Sequence, residues 1–593
     1  MWPFSAWAET KLITDTITSK RNERSEAIAR GLKLANASEA ASIEDDYQYL
    51  TASAAHIASQ VRSKQWTAKR VMEGYVRSAA RAHARTNCLT EVMFVQALDE
   101  ADRLDDFIKT ASNEELDKKL LLGVPASVKD HLDYKGVDNS RGFVRYSNHP
   151  SQEDSAVVDV LREAGAIVFC KTNVPQTMLA FECSNPVFGK TVNPYSPDHT
   201  CGGSSGGEAA MLALDGSAIG IGSDIGGSLR IPAAYCGCYS IKPVAGRFPT
   251  RGSQGVVPGY EAIKTTLGPM GRTVEDVALC MKVFADVSTR LSPHILNLLP
   301  MPYRDVELPT KLRIGYFTED GLIPASPACE RAVLTAVEAA RNAGHECIPI
   351  TLPDPIRALE IFQALSSSDA YRTLTSHLYA REAREPALFL PIFGARIPAW
   401  LRKTASWILS KFLDERTFAR VIAASGEKKT ALVWKWQHER DEYGRKVKEY
   451  LWKELQLDTV ICPVQASPAV SHGATKRLSP LALGTIYWNV VDSTVGVIPM
   501  TRVDAELDAL SVSQKKEKLA KAGSHLLAKE YYDLVYDPVA MQGLPVGVQV
   551  VGPAWHEEKV LKMMGVLDEE LVKKNGRAFG PGLGSQFERW KGE

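Results

Sequence analysis

Apolar residues recur at helical spacing through residues 51–108: Ile57, Val61, Val71, Tyr75 and Val76, then Ala97, Ala101 and Leu104. Such spacing gathers apolar side chains on one helix face and predicts helices packed against a core. Upstream, residues 10–45 are polar and alanine-rich and predict a helical N-terminal extension, bounded at 1–48. From about residue 121 short apolar runs alternate with helical ones. Residues 156–164 predict a helix that Gly165 ends, and Ala-Ile-Val-Phe-Cys at 166–170 predicts a buried strand. Residues 208–214 are again helical, and Ala-Ile-Gly-Ile-Gly at 218–222 predicts another strand. Further strands are expected at 312–317, 459–462 and 546–551. The alternation predicts α/β layering.

Two stretches break that rhythm. Residues 354–455 are mostly helical and predict an insertion or cap, and 503–533 form a second, charged helical excursion. The proline-rich run 285–310 reads as a connector between halves of one core. One domain is therefore expected over 49–575, with the cap inside it and a tail at 576–593. No apolar run reaches the ~18–20 residues of a spanning helix. The apolar start, Met1 to Ala8, is too short for a signal peptide and lacks a basic beginning. An intracellular protein is expected, cytoplasmic or peripherally associated with internal membranes. The ten cysteines include no CxxC pair, and Cys236 and Cys238 form a CxC. Scattered cysteines of this kind read as packing residues in a reducing compartment. The 70 basic and 70 acidic residues balance, so bulk nucleic-acid binding is not expected.

Chemistry concentrates in three segments. Lys129 lies in Gly-Val-Pro-Ala-Ser-Val-Lys-Asp at 123–130, Ser204 in Gly-Gly-Ser-Ser-Gly-Gly-Glu at 202–208, and Ser228 in Gly-Ser-Asp-Ile-Gly-Gly-Ser-Leu-Arg-Ile-Pro at 222–232. Glycine permits close backbone approach to a ligand. In Ile225-Gly226-Gly227-Ser228 successive N–H groups can converge on one point, as an oxyanion hole requires. A serine needs a base to become a nucleophile. A buried lysine can be that base once its amine is neutral, and a second serine can relay the proton. The combination points to a Ser-Ser-Lys site for amide hydrolysis.

Other readings of the same residues compete. Gly203 to Gly207 also matches the G-x-S-x-G elbow with Ser205 as nucleophile, although its lead-in, Asn193 to His199, reads as a loop where the elbow needs a strand. Gly220-Ile221-Gly222 hints at a dinucleotide loop, with the third glycine out of register. His131 and His199 are candidate bases for a Ser-His site, without an acidic partner at a diagnostic spacing.

The three segments, in this order and at these intervals, resemble the amidase signature family, strongly over about 50–285 and more weakly over 455–570. The helix-strand-loop run 164–173 resembles the family as well. The resemblance implies a single domain with one large mixed, twisted β-sheet covered by helices, and no metal or organic cofactor. It implies Ser228 as nucleophile, Ser204 as the bridging serine after a cis peptide bond to Gly203, and Lys129 as base. It assigns Ile225, Gly226, Gly227 and Ser228 to the oxyanion hole. Asp224, Ser205 and Arg230 fall at positions that hold the loops by hydrogen bonds, and Met178 at a substrate-pocket position.

Within the cap, residues 397–413 carry Leu401, Ala405, Ile408 and Phe412 on one stripe, extended by Leu409. Arg402, Lys403, Ser406 and Ser410 lie opposite, and Trp400 and Trp407 run along an edge. Periodicity alone predicts that the stripe packs on the protein's own core. The character and place of the segment resemble the membrane-binding cap of the fatty acid amide hydrolase branch, as do the runs 496–501 and 543–555. That likeness implies a lipid-like amide substrate such as an N-acylethanolamine and peripheral membrane contact, with homodimerisation left open. Competing expectations are a small-amide enzyme of the fungal acetamidase kind, the glutaminase subunit of a tRNA-dependent amidotransferase, and an inactive scaffold.

Overall fold

Eleven strands form one mixed sheet in this computed structural model, which describes residues 3–37, 43–291, 298 and 301–575. The expected tail at 576–593 lies outside the described residues. In chain order the strands are β1 (Leu89–Val92), β2 (Pro125–Lys129), β3 (Ile167–Thr172), β4 (Ser184–Asn185), β5 (Gly189–Lys190), β6 (Ile219–Asp224), β7 (Tyr239–Lys242), β8 (Thr266–Gly271), β9 (Arg313–Tyr316), β10 (Glu346–Pro349), β11 (Thr459–Pro463), β12 (Thr494–Arg502) and β13 (Pro545–Gly552). The sheet order is β1-β3-β2-β6-β8-β7-β12-β13-β11-β9-β10, and β4 and β5 pair apart as a small hairpin. β2 runs parallel to β3 and β6, and β9 runs parallel to β10 and β11. The remaining pairs of the large sheet are antiparallel.

The segment between β2 and β3 shows how the sequence builds this layering. The Ser155 hydroxyl caps the helix Ala156–Glu163 by accepting from the Val158 N–H. Gly165, at φ +88, ends it, and β3 begins two residues later with every residue buried. β6 is buried along its whole length and alternates isoleucine with glycine. A Cβ on Gly220 would stand 2.2 Å from Glu208 Oε2, and one on Gly222 would stand 2.6 Å from Ser205 Oγ. The glycines thus let the helix Gly206–Ala213 lie close against the strand.

The N-terminal extension is tied to this body. Its helix, Pro3–Ala35, buries Lys20, whose Nζ stands 2.8 Å from both Glu91 and Asp138. Arg24 donates to the Leu89 carbonyl at 2.8 Å. The cap follows β10 and includes the helices Pro355–Ser366, Phe389–Arg396, Ala399–Phe412, Arg416–Ala424 and Thr430–Lys448. The second excursion, between β12 and β13, holds the helices Val512–Lys521 and His525–Leu534. Among the described residues no helix is long and apolar enough to cross a membrane.

The helix Ala399–Phe412 turns Arg402 and Ser406 inward and leaves Lys403 exposed. Arg402 is buried and donates to the Ile397 and Ala395 carbonyls, and Ser406 donates to the Ala419 carbonyl at 2.8 Å. Trp400 is 67% exposed, Leu401 40%, Trp407 56%, Ile408 42% and Phe412 70%. The expectation from periodicity is therefore corrected: the apolar stripe faces out, because buried carbonyls of the cap take up the arginine and serine. Phe389 and Phe393, stacked with centroids 5.5 Å apart, add to the exposed apolar surface of the cap.

Candidate active site

Lys129 ends β2 and is fully buried. Its Nζ donates to Ser204 Oγ at 2.7 Å and to Ser223 Oγ at 2.8 Å. Burial pushes the ammonium down to about 7, against the opposing pull of Asp224, so about half of the amine is neutral at neutral pH. Ser204 follows a cis peptide bond from Gly203 and is itself buried.

Ser228 stands after Gly227, which has φ +124. A Cβ at Gly227 would come within 2.2 Å of Thr485 Oγ1, so the turn needs glycine twice over. The loop is held from behind by Asp224 at the end of β6. The Asp224 carboxylate accepts from the Gly227 N–H at 2.9 Å, the Leu229 N–H at 3.1 Å and Asn489 Nδ2 at 2.8 Å. Arg230 grips the same carboxylate with Nη2 at 2.9 Å and Nε at 3.1 Å. Burial alone would raise the carboxyl, but the Arg230 guanidinium holds it well below the usual range. Arg230 also donates to the Thr485 carbonyl at 3.0 Å and to Gln549 Oε1 at 2.8 Å, tying the loop to the second half of the chain.

The Gly227 N–H is thus taken by the Asp224 carboxylate. No acceptor among the described residues takes the N–H of Ile225, Gly226 or Ser228. Backbone donors left without an acceptor are what an oxyanion hole requires.

Ser205 joins the two serine loops. Its N–H donates to the Ser228 carbonyl at 3.1 Å, and its Oγ accepts from the Ser223 N–H at 3.3 Å. Buried and bonded to β6, its hydroxyl is unavailable as an elbow nucleophile. His131 is buried and held neutral by desolvation, and His199 bonds to Ser196 Oγ at 2.8 Å. Neither histidine lines the space at Ser228.

That space is a cavity of about 120 Å³, open to solvent. Ile225, Gly226, Ser228 and Ile231 line it, together with Met178 and Phe181. The cap supplies Leu359, Phe362 and Val421. Met178 and its neighbour Thr177 both have positive φ, +56 and +71.

Sequence reasoning missed Ser223, Glu208, Asn489 and Gln549. Ser223 looked like the end of a strand. Glu208, which accepts from Ser127 Oγ at 2.6 Å and Thr172 Oγ1 at 2.7 Å, looked like a helix-start residue. Asn489 and Gln549 lie 259 and 319 residues from Arg230, beyond any local signal.

The family model described as Amidase matches residues 70–561. Fatty-acid amide hydrolase 1 of Sus scrofa is 33% identical over 521 residues, covering 86% of this chain and 84% of that protein. An acetamidase of Emericella nidulans is 31% identical over 546 residues, covering 91% and 92%. A solved fatty acid amide hydrolase superposes with a TM-score of 0.79 at 24% identity, over 95% of this chain and 96% of that one, and so shares the fold. The chain belongs to the amidase signature family and is a hydrolase acting on amides.

Proposed function

We propose that the protein cleaves long-chain fatty acid amides, N-acylethanolamines among them, by a Ser-Ser-Lys mechanism through an acyl-enzyme. The observation that carries this reading is the largely apolar cavity at Ser228, lined by the loop after β6, by residues 178–181 and by helices of the cap. Neutral Lys129 draws the Ser204 proton as Ser204 takes that of Ser228. Ser228 Oγ attacks the amide carbonyl, and the N–H groups of Ile225, Gly226 and Ser228 receive the oxyanion. The proton then returns along the same path to the leaving nitrogen, because an amide anion is a poor leaving group. Water finally cleaves the acyl-enzyme.

The outward stripe of the helix Ala399–Phe412 supports docking on a lipid surface. Edge tryptophans with Lys403 and Lys411 suit the membrane interface. Burying a large apolar side chain contributes about 1.5–3 kcal/mol. Replacing both Trp400 and Trp407 with alanine is expected to weaken vesicle binding at least about tenfold, read by co-sedimentation, with turnover of a soluble short amide unchanged.

The likeness to the Emericella nidulans acetamidase favours a second reading, a small-amide amidase. Hydrolysis of N-acylethanolamines with acyl chains of about two to twenty carbons separates the two. Catalytic efficiency that climbs with chain length supports the fatty-amide reading, since each buried methylene adds about 0.8 kcal/mol. A peak at acetyl or propionyl, indifferent to vesicles, defeats it.

A further inference from the structure

Glu208 is a fully buried acid that the hydrolytic path does not use. It lies in the first turn of the helix Gly206–Ala213, directly after the two serines of its loop. Its carboxylate is held by Ser127 and Thr172. Ser127 precedes Lys129 by two positions on β2 and so shares its face of the sheet. Thr172 is the partner of Lys129 across the β2–β3 ladder. Both anchors therefore fix the carboxyl beside the lysine stem, and glycine at 220 leaves room for it.

We propose that Glu208 is a positioning residue for the proton transfer, its carboxylate setting how firmly Lys129 holds the proton taken from Ser204. The inference rests on Lys129 being the base. The neighbouring acid, Asp224, has its charge matched by Arg230. Glu208 makes no ion pair among the described residues, and its hydrogen-bond partners are two neutral hydroxyls. Lys129 is the cation whose charge acts on it. Burial pushes the Glu208 carboxyl up to about 7, opposed by Ser127 and Thr172, so acid and base titrate in the same range. Asp224 from β6 and Cys183 also face Lys129, and the thiols of Cys88 and Cys170 face Glu208. Both thiols are pushed up by burial and stay neutral, as does His131.

The test is the pH profile of kcat/KM for Glu208→Gln, with Thr172→Val as a second variant that keeps the strand intact. Without the negative charge the lysine is a weaker base. The acid limb is expected to move down by a few tenths of a pH unit and the plateau to fall by about twofold at most. Thr172→Val should move the limb the same way by less. A limb at the wild-type position in both variants overturns the proposal, whatever happens to the rate. A wild-type limb that persists in Lys129→Met instead defeats the assignment of the base.

Discussion

Replacing Ser228 with alanine lowers amide hydrolysis by about 10⁴–10⁶-fold and abolishes the acyl-enzyme, while leaving the unfolding temperature unchanged. The size of the loss follows from the absence of a substitute. Ser204 is buried beside Lys129, and Ser205 is bonded to β6, so neither offers a hydroxyl at the cavity wall. The unchanged stability follows from the half-buried position of Ser228, whose side chain contributes to the cavity rather than to the core. Mass spectrometry of the protein mixed with a slowly hydrolysed amide reads the adduct directly. Full activity in the variant would remove Ser228 from the nucleophile's place and, with it, the path through Ser204.

The parts of this site legible in the sequence are those that demand unusual backbone. The glycines at 202, 203, 226 and 227 announce loops, and three chemically complementary residues at fixed order sharpen the reading. What stayed hidden was set by pairing across the fold. Ser223 is an ordinary strand residue until β2 brings Lys129 within 2.8 Å of it. The Gly227 amide looks like a free donor until Asp224 turns back on it. β8 and β12 carry Pro269 and Pro499, residues that argue against interior strands, and neither segment is predicted as one. At Pro499 the ladder accommodates the missing donor with a register shift before Thr501. The cap helix shows a different limit. A stripe of period 3.6 says that one face is apolar, but not which face meets the protein. Arg402 decides it here, because its guanidinium takes up carbonyls at the end of the preceding helix and leaves the tryptophans in solvent.

Lys129→Met is expected to cost about a thousandfold in rate and at the same time to stabilise the fold, most strongly on the acid side of neutrality. The rate loss reflects removal of the base. Wild-type activity rises as Lys129 loses its proton near pH 7, whereas the variant lacks that limb and recovers partly at high pH, where hydroxide serves instead. The stability change follows from linkage. The lysine protonates near 7 when folded and near 10.5 when exposed to water. Between these values the unfolded chain binds a proton that the folded chain does not, so wild-type stability rises with pH through the window. Below it, folding carries the full cost of a charged amine without water, and above it that cost is gone. Methionine fills the same space without the amine, so its gain in unfolding temperature is largest below pH 7 and shrinks towards pH 10.5. Unfolding curves for both proteins from about pH 6 to 10 read this difference. A difference that stays flat across the window would mean that the folded lysine keeps an ordinary affinity for its proton, and a base that is charged at neutral pH could not draw the proton from Ser204.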